Sequence, residues 1–199
     1  AAELASHESH QALSRRAAAE SVVLLKNENQ RLPLEPKPGL RLAVVGPLAK
    51  GMPLGSYQPP FVEQVSVLDA LKARCEATGM ELAHAEGCRI LKTDRGEFES
   101  EEAWLASKQA PVAVSDEANA DALRETEAVA GEADVIIACV GDAGATCREA
   151  AFFGDHRGDR ASLDLPGSQP RLLEACLRTG KPVVVLAFGG RPFTLGPLL

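Results

Sequence analysis

The sequence predicts an α/β fold: a three-layer sandwich with a mostly parallel sheet and helices on both faces. Three observations lead there. Short Val-rich runs alternate with Ala- and Leu-rich helical stretches through most of the chain. The run Val135 to Val140 carries no charge, as a strand covered on both faces requires. Aromatic residues make up only 4% of the 199 residues, so the core has to be built from Ala, Val, Leu and Ile.

The first helix is expected over residues 8–27, where Leu13, Ala17, Ser21 and Leu24 recur at three- and four-residue spacing. Its end, Val22 to Leu25, is the most apolar part and is expected to be buried. Pro33, Pro36, Pro38 and Gly39 then mark a connection, with Lys26 and Asn27 read as structural residues at the helix end. Leu40 to Val45 is a short strand, stopped by Gly46-Pro47. The Gly- and Pro-rich stretch after it does not match GxGxxG, which argues against a dinucleotide site. Ser66 is a plausible N-cap for a helix from Val67 that Gly79 closes. Met80 to Glu86 alternates as a second strand and carries His84, read as an edge or half-buried histidine rather than a ligand. A short helix at 100–107, anchored by Trp104, and a charged helix at 116–130 come next. The buried strand at 134–140 follows, then a long excursion, a helix from Ser168 closed by Gly180, and a last strand at 183–188. No internal repeat and no low-complexity linker interrupts this order.

Composition narrows the function classes. The formal charge of −7 lacks the basic balance of a general nucleic-acid binder. The five cysteines form no CxxC pair and no zinc spacing. Cys139 and Cys176 read as small core residues, and the odd count favours reduced thiols in a cytoplasmic or otherwise undisulfided setting. No signal peptide is visible and no apolar run is long enough to span a bilayer, although the opening residues read as the middle of a longer chain. No cofactor and no metal site is expected.

The excursion from Gly141 to Gln169 is the richest stretch in chemistry. It leaves the carboxyl end of a buried strand, where open α/β sheets bind ligands. It holds Asp142, Arg148, Glu149, Asp155, His156, Arg157, Asp159 and Arg160. A solvated, salt-bridged surface loop is the plain alternative reading.

Four segments in order carry a resemblance: HQALSRRAAAESVVLLKNENQRLPL at 10–34; LAVVGPLA at 42–49 with GSY at 55–57 and SVLDALKA at 66–73; ADVIIACVGD with SLDLPGSQPRLLEA, at 133–142 and 162–175; and TGKPVVVLAFGGRPFTL at 179–195. Together they resemble the C-terminal α/β-sandwich domain of family 3 glycoside hydrolases, the β-glucosidase and β-xylosidase type. The resemblance implies that residues 1–38 are a helical lead-in from a catalytic (β/α)8 barrel. Residues 39–199 are then the sandwich domain, cut short at its C-terminal end. The barrel and its nucleophilic aspartate are absent, so the chain is expected to be part of a larger enzyme and inactive alone. Its partners would be that barrel and a β-glycoside or oligosaccharide substrate with a terminal β-glucosyl or β-xylosyl residue. No nucleic acid and no membrane partner is implied. An apolar patch is expected near Phe193 to Leu199, which leaves homo-oligomerisation open. The compartment is left as cytoplasmic or periplasmic.

Retaining glycoside hydrolysis uses a nucleophile and an acid/base carboxyl. In many relatives the excursion reads GE, then GEA, then SR, before LDLPGxQ. Gly141-Asp142 matches the opening, and Arg148-Glu149-Ala150 matches GEA with Arg in place of Gly. The resemblance thus implies Glu149 as acid/base, with Asp155 and Asp159 as rivals across an insertion at 151–158. Arg148 beside Glu149 favours its ionised form, which suits an acid only if the two side chains diverge. Asp142, Phe152, Phe153, His156 and Arg160 are candidate substrate contacts; the phenylalanines offer faces suited to sugar C–H surfaces. Asp159-Arg160 also reads as a local ion pair, and His156 as an exposed loop histidine. A non-catalytic carbohydrate-binding or interaction module on the same fold is the competing function. A nucleotide-binding domain is disfavoured because no Gly-rich phosphate loop joins the first strand to a helix.

Overall fold

The computed structural model describes residues 8–51, 65–92, 113–142, 146 and 162–196. The chain divides into two units, Ala1–Glu35 and Pro36–Leu199.

In the first unit, helix α1 spans Glu8–Glu20 and buries no residue. This is shorter than the 8–27 expected from the periodicity. Ser21 donates its hydroxyl to the Ala18 carbonyl, 2.7 Å away, and the β-branched pair Val22-Val23 follows, both poor at continuing a helix. The expectation that Val22 to Leu25 is buried is also corrected: these four residues are 62–75% exposed. The described residues of the unit supply no apolar face to cover them. Beyond them Asn27 does fix the backbone locally, its amide donating to the Leu32 carbonyl and accepting from the Leu32 N–H, both at 2.9 Å.

Among its described residues the second unit has four strands: β1 (Arg41–Val45), β2 (Glu81–Ala85), β3 (Val135–Gly141) and β4 (Val183–Phe188). They lie in the order β2-β1-β3-β4 and every pairing is parallel. Central β3 is buried along its whole length, as its uncharged sequence requires. At the amino ends of the strands, Arg41 and Asp134 join β1 to β3. The Asp134 carboxylate accepts from the Arg41 backbone N–H at 2.9 Å and from its guanidinium at 3.0 and 3.3 Å.

Among the described residues three helices cover the sheet: α2 (Val67–Thr78), α3 (Ala120–Glu132) and α4 (Gln169–Arg178). Ser66 caps α2 by accepting from Asp69 N–H, while the Asp69 carboxylate accepts from Ser66 N–H. Gly79 ends the helix in the left-handed conformation. One core packs Leu172, Leu173 and Cys176 of α4 and Ala130 of α3 against Ala43, Val45, Ile136, Ala138 and Val140. Alternation along the strands turns Leu42, Val44, Ile137 and Cys139, all buried, to the other face. α2 packs along β2 and buries Leu68 and Cys75 outside the first core.

α3 starts four residues later than the sequence suggests. Ser115 draws the chain into turns by accepting from Ala118 N–H, and Asp116 is held by Ser168 and Arg171 instead of opening a helix. The helix expected at 100–107 lies outside the described residues. Phe193 and Leu195 pack half-buried against the core, so the apolar surface expected at that end is not theirs; 197–199 are not among the described residues.

Candidate functional site

Strand order and connectivity locate a crevice. From β1 the chain passes through α2 to β2 on one side; from β2 it returns past β1 to β3 on the other. The carboxyl ends of β1 and β3 therefore form a topological switch point, the place where ligands settle on open α/β sheets.

Both strands end there in glycine. Gly46 has φ +109° and Gly141 φ +148°, a range that L side chains rarely adopt. A Cβ on Gly46 would collide with the Cys139 carbonyl, and one on Gly141 with the Phe188 carbonyl. Each of these carbonyls also accepts a backbone hydrogen bond at this edge, Cys139 O from Leu48 N and Phe188 O from Asp142 N. Glycine is thus what lets each chain turn off the sheet directly over its neighbour.

Beyond Gly141, Asp142 is fully buried. Its Oδ1 accepts from the Thr146 hydroxyl at 3.0 Å, and its Oδ2 lies 3.9 Å from Nε of Arg191, which follows β4. The second distance is an ionic contact rather than a hydrogen bond. The carboxylate that the sequence offers as a sugar contact is thus directed at protein groups.

Gln169, the last residue of the LPGSQ run, stands in the sequence at the start of a helix and opens α4. It is fully buried, and its amide grips Gly141 from both sides: Oε1 accepts from Gly141 N–H at 2.7 Å and Nε2 donates to Gly141 O at 2.8 Å. Nε2 also donates to Pro166 O at 2.9 Å. The side chain takes the place of a neighbouring strand on the β1 side, where pairing ends at Val45 and Ala138, while β4 still pairs with Gly141. The available signal was an uncharged polar residue at a position where α4 faces the core.

Beside it a second buried group holds the 88–92 and 113–119 segments. Asn119 accepts from Arg89 N–H and donates to Arg89 O and to Ser168 Oγ; Ser168 in turn donates to Asp116, which pairs with Arg171. His84 sits apart on β2, half-buried, with Nδ1 2.8 Å from Val44 O, as its reading as a structural histidine requires.

Glu149, Asp155 and Asp159, with Phe152, Phe153, His156 and Arg160, fall at 149–160, outside the described residues. Among the described residues no His, Cys, Asp and Glu cluster could hold a metal ion, and no helix is long and apolar enough to cross a membrane. Cys88, Cys139 and Cys176 are free thiols in the core; burial pushes the first two up to about 12 and the third to about 11.

Comparison with known proteins gives this edge a context. The chain is 34% identical to a β-xylosidase of Formosa agariphila, over 94% of this chain and 22% of that protein. It is likewise 34% identical to a periplasmic β-glucosidase of Salmonella typhimurium, over 94% of this chain and 23% of the relative. A solved β-glucosidase from Erythrobacter marinus superposes with a TM-score of 0.86 at 39% identity, covering 96% of this chain and 25% of that one. One from Bifidobacterium adolescentis gives 0.66 at 27% identity, with 96% and 23% covered. The chain thus spans less than a quarter of the length of these two curated relatives. The glycosyl hydrolase family 3 C-terminal domain model matches residues 22–198, and the chain belongs to that family.

Proposed function

We propose that this chain is the second domain of a retaining β-glycosidase, acting on terminal β-glucosyl or β-xylosyl residues with a (β/α)8 barrel that carries the nucleophile. Glu149 is its acid/base. The observation that carries the reading is the departure point of segment 143–161: it leaves from Gly141-Asp142, the carboxyl end of the central strand, beside the switch point. That departure point is at the edge where this fold meets ligands. The names of the relatives supply the substrate class, and Glu149 is the glutamate that sits in the GEA-like position.

In a retaining enzyme the acid/base lies about 5–5.5 Å from the nucleophile, donates a proton to the leaving oxygen, then activates water. The isolated chain lacks one of the two carboxyls and should not hydrolyse aryl β-glycosides. In the complete enzyme Glu149→Ala should cripple hydrolysis of substrates with poor leaving groups. Activated aryl glycosides should keep their kcat/KM, and azide should restore turnover as the β-glycosyl azide. Rescue of Asp155→Ala or Asp159→Ala in place of Glu149→Ala would move the role to the rescued residue. Rescue of none, with full activity throughout, would leave a non-catalytic module.

A further inference from the structure

We infer that Gln169, Asp142 and the turn after β4 form a clasp that joins the two ends of segment 143–161, making Gln169 and Asp142 positioning residues for the carboxyl it carries. This rests on the assignment of the acid/base to that segment. Three contacts, each between residues distant in sequence, converge on its base. Gln169 at the far end holds both backbone groups of Gly141 at the near end, at 2.7 and 2.8 Å. Asp142 at the near end faces Arg191 of the turn after β4. Leu163 at the far end accepts from Thr194 N–H of the same turn at 2.9 Å. Within that turn the Phe193 ring packs over Gly189, where a side chain would otherwise be.

The chemistry of the clasp explains its residue types. Gly141 N–H and C=O point where no further strand residue can reach, and each would otherwise be buried without a partner. A primary amide is the neutral side chain that donates and accepts at once across one backbone unit. Asp142 adds the charge. Buried and facing Arg191, with Oδ1 accepting from Thr146, its carboxylate ties the near end of the segment to the turn after β4. A sugar hydroxyl competing for it would have to break into an occupied, desolvated pair. Asp142 therefore acts through the segment and not on the substrate.

The test uses the complete enzyme and two leaving groups, a 2,4-dinitrophenyl β-glycoside and an alkyl β-glycoside of the same sugar. Gln169→Met keeps the volume and removes both amide functions. A displacement of about 1 Å at a reacting group costs about 100-fold in rate. The expected result is a loss of about that size in kcat/KM for the alkyl substrate, against about 3-fold or less for the dinitrophenyl one. Equal losses on both substrates, or no loss on either, would overturn the clasp, since a purely structural defect lowers the amount of active enzyme without regard to leaving group. If Gln169→Met yields no folded enzyme, Asp142→Asn decides by the same criterion. Glu149→Ala in parallel keeps the two ideas apart. A leaving-group effect in Gln169→Met but not in Glu149→Ala retains the clasp and refutes Glu149; the reverse retains Glu149 and refutes the clasp.

Discussion

Gly141→Ala should be among the most damaging small substitutions in this domain, and three other glycines calibrate it. Gly131 lies inside α3 at an ordinary helical φ with open space around it, so alanine there should stabilise by about 0.5–1 kcal/mol. Gly39 has φ +79° and nothing within 4 Å of a built Cβ, so alanine there carries only the backbone cost, about 1–2 kcal/mol. Gly141 bears a strained φ worth about 1–3 kcal/mol and meets the Phe188 carbonyl besides. Relief of that collision pushes β4 away and sacrifices the Asp142 N–H to Phe188 O bond of 2.9 Å, about 1 kcal/mol more. The sum is about 2–4 kcal/mol. Gly46→Ala, set against the Cys139 carbonyl, should behave similarly. Urea unfolding reads these values: with a slope of about 2 kcal/mol/M, the midpoint should fall by about 1–2 M for Gly141→Ala and by about 0.5–1 M for Gly39→Ala. It should rise by about 0.3–0.5 M for Gly131→Ala. Equal falls for Gly141→Ala and Gly39→Ala would show that the carbonyl contact is not what demands glycine.

Two further outcomes follow from ionisable groups. The Arg41 guanidinium and backbone N–H hold the Asp134 carboxyl down to about 2, so its contribution is complete above the ordinary value of 3.8 and lost as pH falls through about 2. Acid titration of Asp134→Asn should therefore lose part of the stability change between those values, and an unchanged acid limb would refute the assignment. Cys88, Cys139 and Cys176, with thiols raised to about 12, 12 and 11 by burial, should resist iodoacetamide at pH 8 until the chain unfolds. Prompt native-state labelling of any of them, seen by peptide mass, would contradict the packing around it.

The elements that could be read from sequence are those whose signals are local. β3 announces itself by six residues without charge, and α2 by Ser66 at one end and Gly79 at the other. The strand ends at Gly46 and Gly141 follow from the same punctuation. What escaped depends on partners far along the chain. The start of α3 moved because Asp116 is claimed by Ser168 and Arg171, more than fifty residues away. The end of α1 is a local exception: the Ser21 hydroxyl bonds back to Ala18 O and the β-branched pair Val22-Val23 follows, neither of which apolar periodicity records. At the site, the residue types of the excursion were plain. The function of Gln169 was not, since its partner lies 28 residues earlier and no helical pattern points to it.

β4 has a consequence of a different kind. It pairs with β3 on one side, and among the described residues no strand joins the other side. Its sequence, VVVLAF, has neither charge nor proline, and its residues are half-buried apart from the more open Ala187. An uncharged, β-branched strand with one side unpaired is a template for the same strand of another molecule. A protein made of residues 1–199 alone should therefore self-associate through Val183–Phe188. A lysine at Ala187, the most open position of the strand, is the gatekeeper substitution that should raise the soluble yield.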